Sequence, residues 1–205
     1  MRGGAAVAVA LAYPASVIAG QWIELQPLPL ILLALLIFFA LAPSSPGVYP
    51  RLLLGAGLLA IMGTLGLTPL GGWVIHAVPV LVPGLIGLLF ARSLRPGSTP
   101  LITRYALEMG ASDSPGVHRY TRTITTIWAT TCVTLALVSL GLSLFASPAV
   151  WAVIANGVNY LLLGGLFMLE YPLRARFLPD EPRAGFLAYL TELARADHRR
   201  ILRQP

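Results

Sequence analysis

Three groups of side chains in this sequence have the types and spacing to do chemistry. The first is a set of polar residues inside otherwise apolar runs: His76, Asn156, Asn159 and Tyr160. Asn156 and Tyr160 fall four apart, on one helical face with Gly164, where a neighbouring helix can approach closely. In hydrocarbon each such group costs free energy unless it is paired, so intramembrane polar residues are the default place to look for function. Lying at similar depth, these four could form a polar pocket opening outward or toward the outer leaflet. Interhelical hydrogen bonding, worth about 0.6–2 kcal/mol per contact, accounts for them equally well.

The second group is a cluster of arginines, Arg92, Arg95, Arg104, Arg119 and Arg122, with His118 and the more distant Glu170. Guanidinium groups bind phosphate and carboxylate in bidentate fashion, so the cluster could hold an anionic head group or an acyl carrier on the cytoplasmic face. It also serves as a simple topology signal. Glu170 has Arg174 four residues on, which makes a surface ion pair the plainest expectation. The third group is a run of threonines from Thr121 to Thr134, whose hydroxyls can return their hydrogen bonds to the preceding helical turn and need no ligand.

No motif joins these residues into a catalytic set. There is no phosphate loop, no HExxH, no GxSxG and no pair of cysteines, and the spans carry no paired carboxylates. The lone Cys132 lies in an apolar run and reads as a small packed hydrophobe. No cofactor and no metal are expected, and the residues lean away from an enzyme.

The elements that must position these groups follow from composition. Of 205 residues 57% are hydrophobic and 11% charged, against about 25% charged in a soluble domain, and the mean hydropathy is +0.78. The deficit of charge runs along nearly the whole chain, as expected when lipid is the solvent. An all-α polytopic bundle is therefore predicted. Its six spans fall at about 4–20, 27–42, 51–67, 73–91, 123–147 and 150–170. The first could pass for a signal segment ending at Val17-Ile18-Ala19; a retained helix, kinked at Pro14, is the expectation. Runs two and three are the shortest. Breakers are expected at Pro43-Ser44-Ser45-Pro46-Gly47 and at Thr68-Pro69-Leu70-Gly71-Gly72.

A cytoplasmic loop over 92–122 should hold a short interfacial helix. Thr99 caps it, Pro100 opens it and Gly110 stops it, with Leu101, Ile102, Tyr105 and Met109 on the apolar side and Arg104 and Glu108 on the polar one. Ser114-Pro115 repeats the cap signal for the fifth span. After a transmembrane domain over 1–178, a tail over 179–205 should form an amphipathic helix opening at Asp180-Glu181-Pro182. Its stripe is Phe186, Leu187, Leu190, Leu193, Ala194 and Ile201, lying on the membrane or on a partner.

Charge supports the count of spans. The net charge of +6 is the balance of 14 basic residues, all of them arginine, against 8 acidic ones. With Arg2 inside, six spans place every arginine on the cytoplasmic side and leave the connections near Glu24, Pro69 and Pro148 with none. Trp22, Trp73 and Trp151 would then form an outer aromatic belt. Dropping runs two and three together preserves the same arrangement, so a four-span version stays open. Arginines confined to span ends orient a membrane protein, and nucleic-acid binding is set aside.

From about Val78 onward the stretches VPVLVPGLIGLLFARSLRPGSTPLITRYA, YTRTITTIWATTCVTLALVSL and WAVIANGVNYLLLGGLFMLEY resemble a family of small, uncharacterised bacterial inner-membrane proteins. Members are encoded beside ketosynthases, acyl carrier proteins and acyltransferases in pigment-lipid pathways of the aryl polyene and xanthomonadin type. The most specific pieces are Ser93 to Arg104, Tyr120-Thr121-Arg122 with Trp128, and Asn156 to Glu170. The resemblance implies a bacterial inner-membrane accessory protein, and the arginine distribution puts both of its termini in the cytoplasm. Such a protein would assist the synthesis, transfer or export of acyl or polyene lipid, with membrane lipids and acyl-carrier or lipid-synthesis proteins as partners. It supplies no catalytic residues. A membrane-embedded acyltransferase or other lipid-modifying enzyme, and a scaffold subunit of envelope assembly, are the alternatives.

Overall fold

A computed structural model of the chain describes residues 2–23, 27–42, 47–179, 181, 185–186, 188–189, 191 and 198–203. The described residues are helical throughout, with no strand among them. The helices are α1 (Arg2–Ala19), α2 (Pro27–Leu41), α3 (Val48–Gly66), α4 (Pro69–Ser93), α5 (Leu101–Glu108), α6 (Pro115–Phe145), α7 (Pro148–Val153), α8 (Asn159–Phe177) and α9 (His198–Arg203), with a π-helical turn at Ile154–Val158 between α7 and α8.

Four helices are long and apolar enough to cross a membrane: Val48–Gly66, Pro69–Ser93, Pro115–Phe145 and the continuous run Pro148–Phe177. At 1.5 Å per residue, the 31 residues of α6 extend about 46 Å, well beyond a hydrocarbon core of about 30 Å. The surplus lies in the opening turns, which carry His118, Arg119 and Arg122 and cannot stay in lipid. The run ending at Phe177 has a similar surplus, and its last turns carry Glu170, Arg174 and Arg176.

The two shorter apolar helices are α1 and α2, so run two is short as expected while run one, and not run three, is the other. Run three gains length because its helix opens at Val48, ahead of Pro50. A proline in the first turn forfeits an N–H that has no intrahelical partner there anyway. The same chemistry corrects the breaker expected at 68–72. Pro69 starts α4, and the interruption shrinks to Leu67 and Thr68, whose hydroxyl donates to the Leu65 carbonyl at 2.9 Å. The turn expected at Pro43-Ser44-Ser45-Pro46 lies outside the described residues, apart from Gly47. Pro14 sits inside a continuous α1, where the Ser16 hydroxyl donates to the Tyr13 carbonyl at 2.7 Å.

The chain divides into two compact units. Unit 1 comprises Met1–Leu81 and Val138–Leu161. Its core is Tyr13 and Val17 of α1 packed with Trp151, Ala152 and Ala155, with Leu32, Leu33, Ile75 and Leu142 around them. Helix α3 buries none of its residues and presents Leu52, Leu53 and Ile61 outward, as a largely apolar helix does against lipid.

Unit 2 comprises Val82–Leu137 and Leu162–Pro205. Within it α4 meets α6 at small residues. A Cβ added at Gly87 would stand 2.9 Å from Val133 Cγ2 and 3.1 Å from Cys132 Cβ, and one at Gly84 would stand 3.5 Å from Ala136 Cβ. Close backbone approach of this kind is how helices associate where lipid removes the hydrophobic drive. Cys132 is one of the packed residues and is buried, as expected for a small hydrophobe.

Gly87→Leu should therefore lower the thermal midpoint of the detergent-solubilised protein, by an overpacking cost of about 1–3 kcal/mol. Gly57→Leu, where a Cβ meets nothing within 4 Å, should leave the midpoint unchanged. Equal loss in both variants would show that the α4–α6 contact is not tight.

Candidate functional site: an apolar chamber in unit 2

Helix α5 is docked by hydroxyls. The Leu101 N–H donates to Ser93 Oγ at 2.9 Å, and Ser93 Oγ donates in turn to the Phe90 carbonyl at 2.7 Å. The Ile102 N–H donates to Thr125 Oγ1 at 3.3 Å, and Thr103 and Thr121 share a hydrogen bond of 2.6 Å with both hydroxyls buried. Two of the helix's four orphan N–H groups are thus satisfied from neighbouring helices. The expected cap is corrected accordingly: Pro100 occupies the cap position, it makes no side-chain cap bond, and Ser93 performs the capping instead of Thr99. Gly110 does end the segment, with φ at +85° in the left-handed region that favours glycine.

Arg104 was expected on the polar face of α5, yet its residue is only 7% exposed. Its Nε donates to the Thr99 carbonyl at 2.7 Å and its Nη1 to the Ile201 carbonyl of α9 at 3.2 Å. The reason is the tail. Ile201 is fully buried in the same unit, and α9 covers the side of α5 that the sequence pattern assigns to water. Glu181 adds a second anchor, accepting from both the N–H and the hydroxyl of Ser112. In the predicted tail stripe, Phe186 stacks edge-on against Tyr171. Asp180, Pro182, Leu187, Leu190, Leu193 and Ala194 lie outside the described residues.

These helices line a half-open chamber of about 440 Å³. Ile86, Leu89 and Phe90 of α4, Leu101, Ile102 and Met109 around α5, and Trp128 of α6 form its apolar wall. Phe90 and Trp128 stack with centroids 5.8 Å apart. At one place the lining turns polar. Glu170, 7% exposed, accepts at Oε2 from the Tyr189 hydroxyl at 3.3 Å, and its backbone carbonyl accepts from the Tyr120 hydroxyl at 3.4 Å. The Arg174 guanidinium lies 5.9 Å from the Tyr189 ring centroid. The expected Glu170–Arg174 ion pair is thus replaced: the arginine sits over the tail's tyrosine, a cation–π arrangement, and the carboxylate takes that tyrosine's proton donor. Burial first, and the Glu170 carboxylate beside it second, push the Tyr189 phenol up to about 12, so it stays protonated and donating at physiological pH.

The sequence missed this chamber. Tyr189 and Leu202 of the tail line it together with Glu170, and nothing in their spacing says that a tail predicted to lie on lipid would fold onto α5. Of the predicted arginine patch, Arg104 is structural, while Arg92, Arg95, Arg119 and Arg122 are exposed. Arg119 and Arg122 line a separate recess with Ser98, Thr99, Pro100 and His118. The threonines behave as expected, since Thr123, Thr126 and Thr130 return their hydroxyls to carbonyls one turn back at 3.0 Å.

In unit 1, the structure does not gather His76, Asn156, Asn159 and Tyr160 into one pocket. His76 stacks on Trp151 with centroids 3.8 Å apart, and its Nδ1 is 2.9 Å from the Gly72 carbonyl. It lines a recess of about 270 Å³ with Gln21 and Thr68. Trp151 is consequently 1% exposed and stands apart from the predicted aromatic belt, whereas Trp22 and Trp73 are exposed as that belt requires. Asn159 Nδ2 donates to Ser139 Oγ at 2.8 Å, the interhelical bond that the bland account expects. Tyr160 is 41% exposed. Asn156 is buried at the π-helical turn, and neither its amide oxygen nor its nitrogen has a hydrogen-bond partner among the described residues; the same holds for Tyr13 Oη and Trp151 Nε1.

Compared with family models, with curated proteins and with solved structures, the chain finds no match.

Two outcomes follow from this geometry. Asn159→Leu should destabilise the protein by about 1 kcal/mol, through loss of the bond to Ser139. Asn156→Leu, which removes unpaired groups, should be neutral or stabilising; unfolding in detergent micelles separates the two, and a larger loss at Asn156 would mean that its amide is partnered. For the tail, the Ser112 hydrogen bonds hold the Glu181 carboxyl below the usual carboxylate range. A depressed folded value contributes stability that is complete above the unfolded value of about 4.3 and is lost as pH falls through the folded one. Hydrogen exchange over 181–191 should accordingly rise below that range in the wild-type chain, and Ser112→Ala should show the raised exchange already at neutral pH.

Proposed function

We propose that this chain is an accessory protein of the bacterial inner membrane that holds the chain of an acyl or polyene lipid while that product is made, handed on or exported. The observation that carries the reading is the unit 2 chamber, with its apolar wall and its one polar station at Glu170, Tyr189, Tyr120 and Arg174. Its volume of about 440 Å³ falls within the range of about 300–1,000 Å³ typical of small-molecule sites. A chain leaving the bilayer gains little from desolvation, because lipid tails are as apolar as the wall. Selectivity must then come from two sources. The stacked Phe90 and Trp128 favour a flat, conjugated or extended chain. The Glu170–Tyr189 pair offers a hydrogen-bond donor and acceptor to a carboxyl, hydroxyl or ester terminus.

In this reading the chain threads the membrane six times with both termini in the cytoplasm. The four long helices supply four crossings. Helices α1 and α2, consecutive and similarly short, supply a pair, so the cytoplasmic assignment of the arginine-rich 92–122 segment is the same whether or not that pair crosses fully. The surplus turns of α6 and of the run ending at Phe177 put the chamber near the cytoplasmic interface, where a soluble acyl donor or acceptor can reach its polar end.

Ala106→Trp, which projects a large ring into the chamber, should sharply reduce recovery of extractable acyl or polyene lipid with the purified protein, while Ala60→Trp on α3 should not. In a deletion strain, lipid profiling should show loss of a product that the wild-type gene restores and Ala106→Trp does not. An unchanged lipid profile, with stable co-purification of another envelope protein instead, would favour a scaffold role.

A further inference from the structure

The arginines of unit 2 divide by what answers their charge. Arg104 is spent on two backbone carbonyls, and Arg200 pairs with Glu108 at 3.9 Å. Asp113 is engaged with His118 at 2.6 Å. Arg119 and Arg122 have no carboxylate within salt-bridge distance among the described residues. They stand three apart on α6 and so share a face. That face forms one wall of a recess of about 290 Å³ whose other walls are His118 and the Ser98–Pro100 turn.

The side chains that line this recess are basic or hydroxylic, apart from Pro100. Arg122 Nη2 donates to the Leu94 carbonyl at 3.2 Å, which tethers the guanidinium and leaves its other N–H groups to point elsewhere. The Thr99 carbonyl is turned to Arg104 Nε, so it is already answered. Ser98 and Thr99 contribute hydroxyls and His118 an imidazole held by Asp113, and among the described residues no carboxylate lines the recess itself. Two guanidinium groups and two hydroxyls line one space, and N–H and O–H donors of this kind suit a tetrahedral oxyanion, with His118, whose Nε2 is taken by Asp113, as part of the wall.

We propose that this recess is a phosphate site, occupied by the phosphate of an ester that reaches it either as an anionic lipid head group or from the aqueous side. Its position supports both routes, since the opening turns of α6 emerge from the hydrocarbon where head groups and cytoplasmic esters meet. The inference stands apart from the chamber reading, because the two cavities share no lining residue.

The test uses the full chain, purified in a nonionic detergent, and native mass spectrometry. Phosphatidylglycerol is offered against an excess of phosphatidylcholine, with inorganic phosphate added in a parallel series. A head-group site predicts a retained phosphatidylglycerol adduct that inorganic phosphate competes away. A site for soluble esters predicts binding of inorganic phosphate with no preference for the anionic lipid. In both cases Arg119→Gln/Arg122→Gln should weaken binding roughly tenfold or more, as expected for charge-assisted hydrogen bonds, and Thr99→Val should weaken it by a smaller factor. Arg92→Gln/Arg95→Gln removes the same charge from exposed positions outside the recess and should leave binding within about twofold. Equal weakening by both double variants would reduce the effect to general surface charge and overturn the proposal, as would binding of neither probe. Arg119 and Arg122 are exposed, so the variants should elute as the wild-type chain does.

Discussion

Hydrocarbon offers no partner to a polar group, and that constraint accounts for most of the arrangements described in this protein. A guanidinium cannot remain in the bilayer core without an answering charge or acceptor, and a backbone amide cannot remain there unbonded. The first condition keeps arginine out of the helix interiors, so that α6 and the run ending at Phe177 place theirs in turns that exceed the thickness of the core. The second makes every apolar run a helix. What varies is how the polar groups near the interface are satisfied, and that variation produces the chamber and the recess.

Unit 2 satisfies them with neighbours. Hydroxyls of Ser93, Thr103, Thr121 and Thr125 bind α5 to the ends of α4 and α6, and Arg104 ties α5 to α9. A short helix held this way forms one wall of the chamber, and Tyr189 and Leu202 of the tail form part of another. The polar station around Glu170 combines that tail tyrosine with Tyr120 of α6 and Arg174 of α8. Unit 1 satisfies its groups less completely. Asn159 has Ser139, while Asn156, at a π-helical turn, has no partner among the described residues. Extra residues in a helical turn shift side chains off their regular face, and π-helical turns occur often at functional sites.

Much of the fold was legible along the chain. A hydropathy run reports its solvent directly, so the apolar helices appear at nearly the predicted positions, and cap chemistry at Ser114-Pro115 and Gly110 marked the ends of α6 and α5. Local rules erred where proline has two meanings. Pro69 reads as a breaker in isolation, and it lies in the first turn of a helix, as Pro50 does. The arginine patch was legible as composition but not as a site, since identical residue types serve structure at Arg104 and face an open recess at Arg119 and Arg122.

The sequence by itself determined that the chain is helical, that several of its helices are apolar enough to cross a membrane and where its charges can lie, because each of these depends on the transfer energy of a residue together with its immediate neighbours. Only the tertiary structure decided which polar groups meet. Trp151 went to the core beside His76 instead of the membrane surface, Arg104 turned inward, and Tyr189 took the carboxylate that Arg174 was expected to hold. Each outcome turns on contacts between residues far apart in the chain, such as Arg104 with Ile201 or Glu170 with Tyr189, and no periodicity within a single helix carries information about a partner on another.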